Sequence, residues 1–135
     1  MSENVAIMEN EGVVEIHLDR PDKKNALTGA MYRAMIAALT DASAREAIGA
    51  VLIAGRGDAF CAGNDLADFR AGPEGGAAAF DFIQAIAAFD KPLVAAVQGL
   101  AVGVGTTMLL HCDLIYAAPD ARFILPFVNL GLVPE

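Results

Sequence analysis

The amino-acid sequence predicts an α/β fold in which parallel strands and helices form layers. Short runs of β-branched and small apolar residues alternate with segments whose apolar residues recur at helical spacing. Hydrophobic residues make up 56% of the 135 residues, enough for a sizeable core. No repeat, low-complexity tract or linker divides the chain. Residues 1–135 are therefore predicted to form a single domain.

The first predicted elements are a hairpin and a helix. Residues 5–8 and 13–18 are predicted strands joined by a turn at residues 9–12, because apolar and polar residues alternate in the second run. A polar loop marked by Pro21 follows, and Thr28 has the chemistry of a helix N-cap. The apolar residues of the next helix fall on one face: Met31, Tyr32, Met35, Ile36 and Leu39.

The middle of the chain repeats this alternation. Residues 50–54 have the composition of a buried strand, and Asp65 is predicted to cap a short helix that runs toward Arg70. Residues 72–76, Gly-Pro-Glu-Gly-Gly, are predicted to be a flexible loop. A helix follows, and its regularly spaced apolar residues are predicted to pack on the sheet: Phe82, Ile86 and Phe89.

The last third of the chain is organised around a glycine-rich stretch, residues 98–113. This stretch follows an apolar strand at residues 93–97 and leads into a helix-compatible run at residues 106–112. Two further strands are predicted at residues 114–117 and 122–124.

Charge and cysteine content narrow the class of protein. A net charge of −8 argues against nucleic acid and against an anionic membrane surface as partners. Residues 93–112 are uncharged over a length that could span a membrane, but glycines and polar residues interrupt them, so a buried element is predicted. Cys61 and Cys112 lack metal-ligand spacing and no signal peptide is evident, which indicates a reduced, cytoplasmic setting. The chain ends without a closing helix, so a missing C-terminal part is expected.

A strand, a glycine turn and a helix leave unpaired backbone N–H groups at the helix start, where the macrodipole is positive. The glycine-rich stretch could therefore hold an oxyanion or a phosphate, although tight strand–helix packing is an equal alternative. A dinucleotide fingerprint fits poorly, because Met108 stands where its third glycine would be. A Walker phosphate loop is excluded, because no lysine follows Lys91.

The sequence argues against catalysis by a serine or cysteine nucleophile and against a metal site. The only serines are Ser2 and Ser43, so no serine triad can be drawn, and neither His17 nor His111 is spaced to act as a base for Cys61. His17 is predicted to be an ordinary strand residue, and no metal ligands are spaced together. Two glycine turns, residues 62–63 and 103–105, remain as places where two N–H groups could converge on one oxygen.

Several separated motifs resemble one family. Asn-Ala-Leu at residues 25–27, Phe-Cys-Ala-Gly-Asn-Asp-Leu at 60–66, Lys-Pro at 91–92 and the glycine stretch at 99–113 resemble the crotonase superfamily of enoyl-CoA hydratases and isomerases. The resemblance covers roughly the N-terminal half of a member. It implies the crotonase-like spiral of ββα units, assembled as a homotrimer or hexamer.

The resemblance also implies the site. The backbone N–H groups of Ala62 and Val104 would hold the oxygen of an acyl-CoA thioester, with coenzyme A entering as part of the substrate and with no separate cofactor or metal. The residues expected along the CoA moiety are Lys24, Ala26, Ala62, Gly63, Asn64, Asp65 and Leu66. Asp65 itself is favoured as a helix cap over a catalytic base.

The positions that carry glutamate distinguish hydration from isomerisation in this family. Hydratases of this family carry two glutamates at positions that correspond here to Thr107 and Phe127, which makes hydration of a 2-enoyl-CoA doubtful. Glu135 matches the acidic residue of isomerase-type members, and one carboxylate can move a proton between two carbons. Isomerisation of 3-enoyl-CoA to 2-enoyl-CoA is therefore favoured, with an unconventional hydratase and a non-catalytic acyl-CoA-binding module as alternatives.

Overall fold

A five-stranded sheet forms the main layer of the structure, a computed structural model that describes residues 3–135. Its spatial order is β1-β2-β3-β4-β6, where the first pair is antiparallel and every other pair is parallel. A second sheet consists of the parallel pair β5 and β7. The strands are β1 (Val5–Asn10), β2 (Val13–Leu18), β3 (Ala50–Gly55), β4 (Leu93–Val97), β5 (Leu100–Val102), β6 (Leu114–Ala117) and β7 (Arg122–Ile124). The predicted α/β layer fold with parallel strands is confirmed.

The helices connect the parallel strands. They are α1 (Gly29–Ala44), α2 (Leu66–Arg70), α3 (Pro73–Ala88) and α4 (Val104–Thr107). The last of these continues as a 3-10 turn over Met108–His111, and further 3-10 turns lie at Pro21–Lys23 and Val128–Leu130.

Alternating burial along the strands builds one apolar core. In β2 the side chains of Val14, Ile16 and Leu18 are buried while their neighbours are partly exposed, and the same alternation continues in β3 and β4. These side chains join one cluster with the apolar face of α1. Each fully buried aliphatic side chain contributes about 1.5–3 kcal/mol, so the alternation fixes which face of the sheet meets the helices.

Both ends of α1 are capped by side chains. The Thr28 hydroxyl accepts a hydrogen bond from the N–H of Met31 at 3.3 Å, as predicted. Beyond the other end, the Lys91 ammonium donates to the carbonyls of Ala42, Arg45 and Ile48 at 2.8, 2.7 and 2.8 Å. A cation at the negative end of the helix dipole is favourable there, and it ties α1 to the start of β4.

Two local predictions are corrected by the structure, and one strand was missed. The predicted loop at residues 72–76 is wrong, because α3 begins at Pro73, where a missing N–H costs nothing, and its buried face includes Ala78 and Phe82. The helix predicted at residues 106–112 starts earlier, at Val104. Strand β5 was not predicted, since three small apolar residues among glycines carry little pattern.

Within residues 3–135, no helix combines the length and the apolar character needed to cross a membrane. The run at residues 93–112 is instead divided between two strands and the α4 region.

Candidate active site

Two glycine-containing segments lie against each other at the centre of the candidate site. Cys61 pairs with Ala101 in a parallel bridge, which brings the turn after Cys61 beside the turn before α4. A Cβ atom on Gly63 would lie 2.8 Å from the carbonyl oxygen of Val102, and one on Gly105 would overlap the carbonyl of Cys61. Glycine at these positions is required for the close approach of the two backbones.

The loop before α1 clasps the segment of residues 61–66. Leu27 donates its N–H to the carbonyl of Gly63 at 2.7 Å, and its own carbonyl accepts the N–H of Asp65 at 2.9 Å. Asn25 is fully buried with φ at +58°, and its side-chain amide donates to the carbonyl of Ala59 at 2.9 Å. The predicted CoA-binding segments, residues 24–26 and 62–66, are therefore neighbours.

Asp65 is held as a helix cap, as predicted. Its carboxylate accepts the N–H of Asp68 at 2.9 Å and a charged hydrogen bond from Arg20 at 2.7 Å. The N–H of Asp68 and then the Arg20 guanidinium keep the pKa of Asp65 below its ordinary value. Arg20 also donates to the carbonyl of Ala26 at 3.0 Å. The Asp65 carboxylate therefore has a structural role as a helix cap and ion-pair partner.

A cavity of about 460 Å³ opens beside the two glycine turns. Most of its wall is apolar, and no Asp or Glu of the described chain lines it. The lining residues include five that sequence analysis assigned to the site: Ala62, Gly63, Asn64, Leu66 and Val104. Phe127, Leu130 and Leu132 also line the cavity. An apolar cleft with a few backbone donors is suited to an acyl group that ends in a polar carbonyl.

The N–H groups at the cavity correct one assignment. The N–H of Ala62 donates to the carbonyl of Lys24 at 2.9 Å, so the prediction that it is available to an oxyanion is wrong. No acceptor among residues 3–135 takes the N–H of Asn64 or that of Val104, the first residue of α4. Both of these residues line the cavity. The free pair of donors therefore consists of Asn64 and Val104.

Glu135 contacts α4, the short helix that begins at Val104. Its carboxylate accepts a short hydrogen bond from the hydroxyl of Thr107, which is buried in α4. Thr107 and Phe127 are the two positions where the resemblance leads us to look for hydratase glutamates, and neither side chain ionises at neutral pH. Glu135 is thus bonded to the last residue of the short helix that begins with Val104, and it is not among the residues that line the cavity.

Other predicted site residues have structural partners. Lys24 forms an exposed ion pair with Asp58 at 2.6 Å, so its ammonium lies on the surface of the loop. Cys61 is fully buried, and burial raises the pKa of its thiol to about 12. A thiol that stays protonated is a poor nucleophile, which agrees with the exclusion of Cys61 from catalysis.

Tyr32 is a site neighbour that the sequence reasoning assigned only to the core. Its hydroxyl donates a short hydrogen bond to the side-chain oxygen of Asn64. A tyrosine on the apolar face of a helix is the available signal, because a buried phenol requires a polar partner.

The profile of the family described as enoyl-CoA hydratase/isomerase matches residues 8–135. The chain belongs to this family. Rat enoyl-CoA delta isomerase 2 is 37% identical over 99% of the chain. The enoyl-CoA hydratase/isomerase family, and with it the crotonase superfamily, is therefore confirmed.

Solved structures agree with the family assignment. An enoyl-CoA hydratase/isomerase from Pseudoalteromonas atlantica T6c superposes with a TM-score of 0.92 at 42% identity over 98% of the chain. OdaA from Pseudomonas aeruginosa gives 0.87 at 49% identity over 99%. The fold is crotonase-like. The chain spans 36% of the rat protein and 53% and 55% of these two solved chains.

Proposed function

We propose that the protein containing this chain isomerises 3-enoyl-CoA to 2-enoyl-CoA. The observation that carries the proposal is the hydrogen bond between Thr107 and the Glu135 carboxylate, on the helix that begins with the free N–H of Val104. In this proposal Glu135 is the base, and the N–H of Val104 is one donor of the oxyanion site. The name of the rat relative, enoyl-CoA delta isomerase 2, agrees with this chemistry.

The proposed reaction uses Glu135 twice. Its carboxylate removes a proton from C2 of the 3-enoyl thioester, and the electron pair moves onto the thioester oxygen as a dienolate. The same carboxyl then returns the proton to C4, which leaves the double bond between C2 and C3. One carboxyl group is sufficient because no water is added and no proton is gained or lost overall.

The backbone donors stabilise the charge that forms between these steps. We assign the oxyanion hole to the N–H groups of Asn64 and Val104, because the N–H of Ala62 is already bonded to Lys24. Such donors are fixed before the reaction, and losing one typically costs about 2.7–4 kcal/mol of transition-state stabilisation.

The substrate is proposed to be an acyl-CoA, with the acyl group in the apolar cavity. The CoA moiety would run along the two clasped segments, past Lys24, Ala26 and the residues from Ala62 to Leu66. Assembly as a homotrimer or hexamer and a cytoplasmic location complete the proposal. Sedimentation of the natural protein at several concentrations tests the assembly.

Replacing Glu135 by Gln tests the base. The amide keeps the shape and the bond to Thr107 but cannot accept the C2 proton, so we expect the isomerisation rate to fall about 100-fold or more, with little change in CoA affinity. Rates for 3-enoyl-CoA and 2-enoyl-CoA are measured side by side in the natural protein. The control is Glu46→Gln, because Glu46 is exposed and remote from the cavity lining.

The same assay separates the alternatives. Efficient hydration of 2-enoyl-CoA by the wild type would favour a hydratase with unconventional residues. Retained CoA binding without turnover of either substrate would favour a binding module. An unchanged rate in the Glu135 variant would place the base elsewhere.

A further inference from the structure

Tyr32 contacts the candidate site from inside the core. Its side chain is 1% exposed, and its ring centroid lies 5.3 Å from that of Phe82. Its hydroxyl donates to the side-chain oxygen of Asn64. Burial, and after it the electrostatic influence of the neighbouring Cys61 and Glu135, raises the pKa of Tyr32 above its ordinary value, so the phenol keeps its proton. The Tyr32 hydroxyl on α1 therefore remains a donor to the Asn64 side-chain oxygen.

The backbone of Asn64 is already fixed without this contact. Leu27 brackets it through the carbonyl of Gly63 at 2.7 Å and the N–H of Asp65 at 2.9 Å. The bond from Tyr32 therefore determines the orientation of the side chain and contributes little to the path of the main chain. Burying a hydroxyl has a desolvation cost, and the backbone of Asn64 does not need this bond to be held in place.

Two donors of Asn64 have no acceptor within residues 3–135. Its side-chain oxygen faces the buried helix, while neither its Nδ2 nor its backbone N–H donates to an acceptor within residues 3–135. Asn64 also lines the cavity. Every buried side-chain nitrogen and oxygen within residues 3–135 has a hydrogen-bond partner, so the unpartnered Nδ2 of Asn64 is accessible from outside the core.

We propose that Tyr32 is a positioning residue, whose hydroxyl holds the Asn64 amide so that Nδ2 donates to the enolate oxygen of the bound acyl-CoA. The inference rests on the proposed function, since the enolate is the intermediate of that reaction. Asn64 then supplies a side-chain donor beside its own N–H and that of Val104. Tyr32 contributes without touching the substrate.

A double-mutant cycle tests this coupling in the natural protein. Tyr32→Phe keeps the ring against Phe82 and removes only the donor, while Asn64→Ala removes the amide and keeps the backbone N–H. We expect Tyr32→Phe to lower kcat about tenfold with KM changed less than about twofold, and to have no further effect in the Asn64→Ala background. Tyr116→Phe is the matched control, since Tyr116 is 66% exposed on β6, and its kcat should be unchanged.

A structural role for Tyr32 gives a different result. Loss of packing or stability would lower the melting temperature and would add to the effect of Asn64→Ala. Additive effects, or an unchanged kcat in Tyr32→Phe, overturn the proposal.

A binding measurement separates this proposal from the proposed function. A 3-ketoacyl-CoA forms its enolate without an enzyme, so its affinity reports donor geometry even where no isomerisation occurs. We expect Tyr32→Phe to weaken this affinity about tenfold in the wild-type background and not at all with Asn64→Ala. A wild type that binds the enolate with this coupling but does not isomerise overturns the isomerase alone. Equal weakening in both backgrounds overturns the role of Tyr32 alone.

Discussion

Asn25 is the residue that joins the separate parts of the site. Its amide nitrogen donates to the carbonyls of Arg56, Ala59 and Phe60 at 3.0, 2.9 and 3.2 Å, and its oxygen accepts the N–H of Arg20 at 2.8 Å. Buried carbonyls without partners are costly, and this one side chain satisfies carbonyls both just after β3 and just before the segment of residues 61–66.

Replacing Asn25 by Ala should destabilise the protein by about 2–4 kcal/mol, because buried carbonyls lose their donor and alanine tolerates the positive φ less well. Urea unfolding measures the change in the free energy of unfolding. Asn10→Ala is the matched control, since Asn10 is exposed at the end of β1, and it should stay within about 0.5 kcal/mol. A stable Asn25 variant would mean that water or relaxation replaces these bonds.

The two glycine turns could be predicted from the sequence, but the free N–H groups within them could not. The spacing of Gly63 and Gly105 predicted a pair of donors beside a strand, and the cavity at these turns agrees with it. The Lys24 carbonyl determines which N–H of the first turn is free. It accepts the N–H of Ala62, and the N–H of Asn64 has no acceptor in the described chain. Contacts between distant backbone groups have no signature in residue spacing.

At the scale of elements, the short helix α2 depends on the charge of its cap. Asp65 accepts the N–H of Asp68 and the Arg20 guanidinium, and these two partners lower its pKa. A carboxyl with a lowered folded-state pKa stabilises the fold above its unfolded value of about 3.9 and loses this contribution as the pH falls through the folded value.

Asp65→Asn should therefore cost about 1–2 kcal/mol near pH 7 and progressively less as the pH falls through the lowered folded-state pKa, because asparagine still caps a helix but lacks the charge. Denaturant unfolding of both proteins across this pH range measures the difference. Asp22→Asn, on an exposed 3-10 turn, should leave the pH profile unchanged. A constant difference at all pH values would show that shape, and not charge, matters at Asp65.

Elements with clear periodicity were predictable and those defined by tertiary contact were not. The apolar stripe from Met31 to Leu39 identified α1, and Thr28 identified its start. The start of α3 has the composition of a loop, Gly-Pro-Glu-Gly-Gly, yet it is helical because α3 packs on α1 and α2. Strand β5 exists through its pairing with β7, which lies further along the chain.

At the scale of the whole molecule, one region presents a broad apolar surface. All of β6 is exposed although it pairs with β4 in the main sheet, and Leu130, Leu132 and Val133 are 54%, 57% and 84% exposed. Where exposed apolar side chains form a large patch, the patch is typical of an interface. The family motifs predicted the fold, whereas the extent of this surface required coordinates.

A chain of residues 1–135 alone should bind a hydrophobic dye through this surface. Leu114→Lys combined with Val128→Lys should reduce the dye fluorescence about twofold or more, because both side chains are exposed there, at 56% and 89%. Phe80→Lys is the control on α3, where an isolated side chain is 59% exposed. No dye binding by the unaltered chain would contradict the prediction.

The pairing of β5 with β7 has a consequence for biosynthesis. The N–H of Gly103 donates to the carbonyl of Ile124 at 2.9 Å, so the turn before α4 is anchored by a strand that the ribosome makes later. The clasp between residues 24–27 and 61–66 can close on the nascent chain before that strand emerges. At translation rates of about 5–20 residues per second, the turn waits on the order of seconds for its anchor. The turn beside the candidate cavity therefore acquires this anchor only after β1 to β4 and β6 have left the exit tunnel.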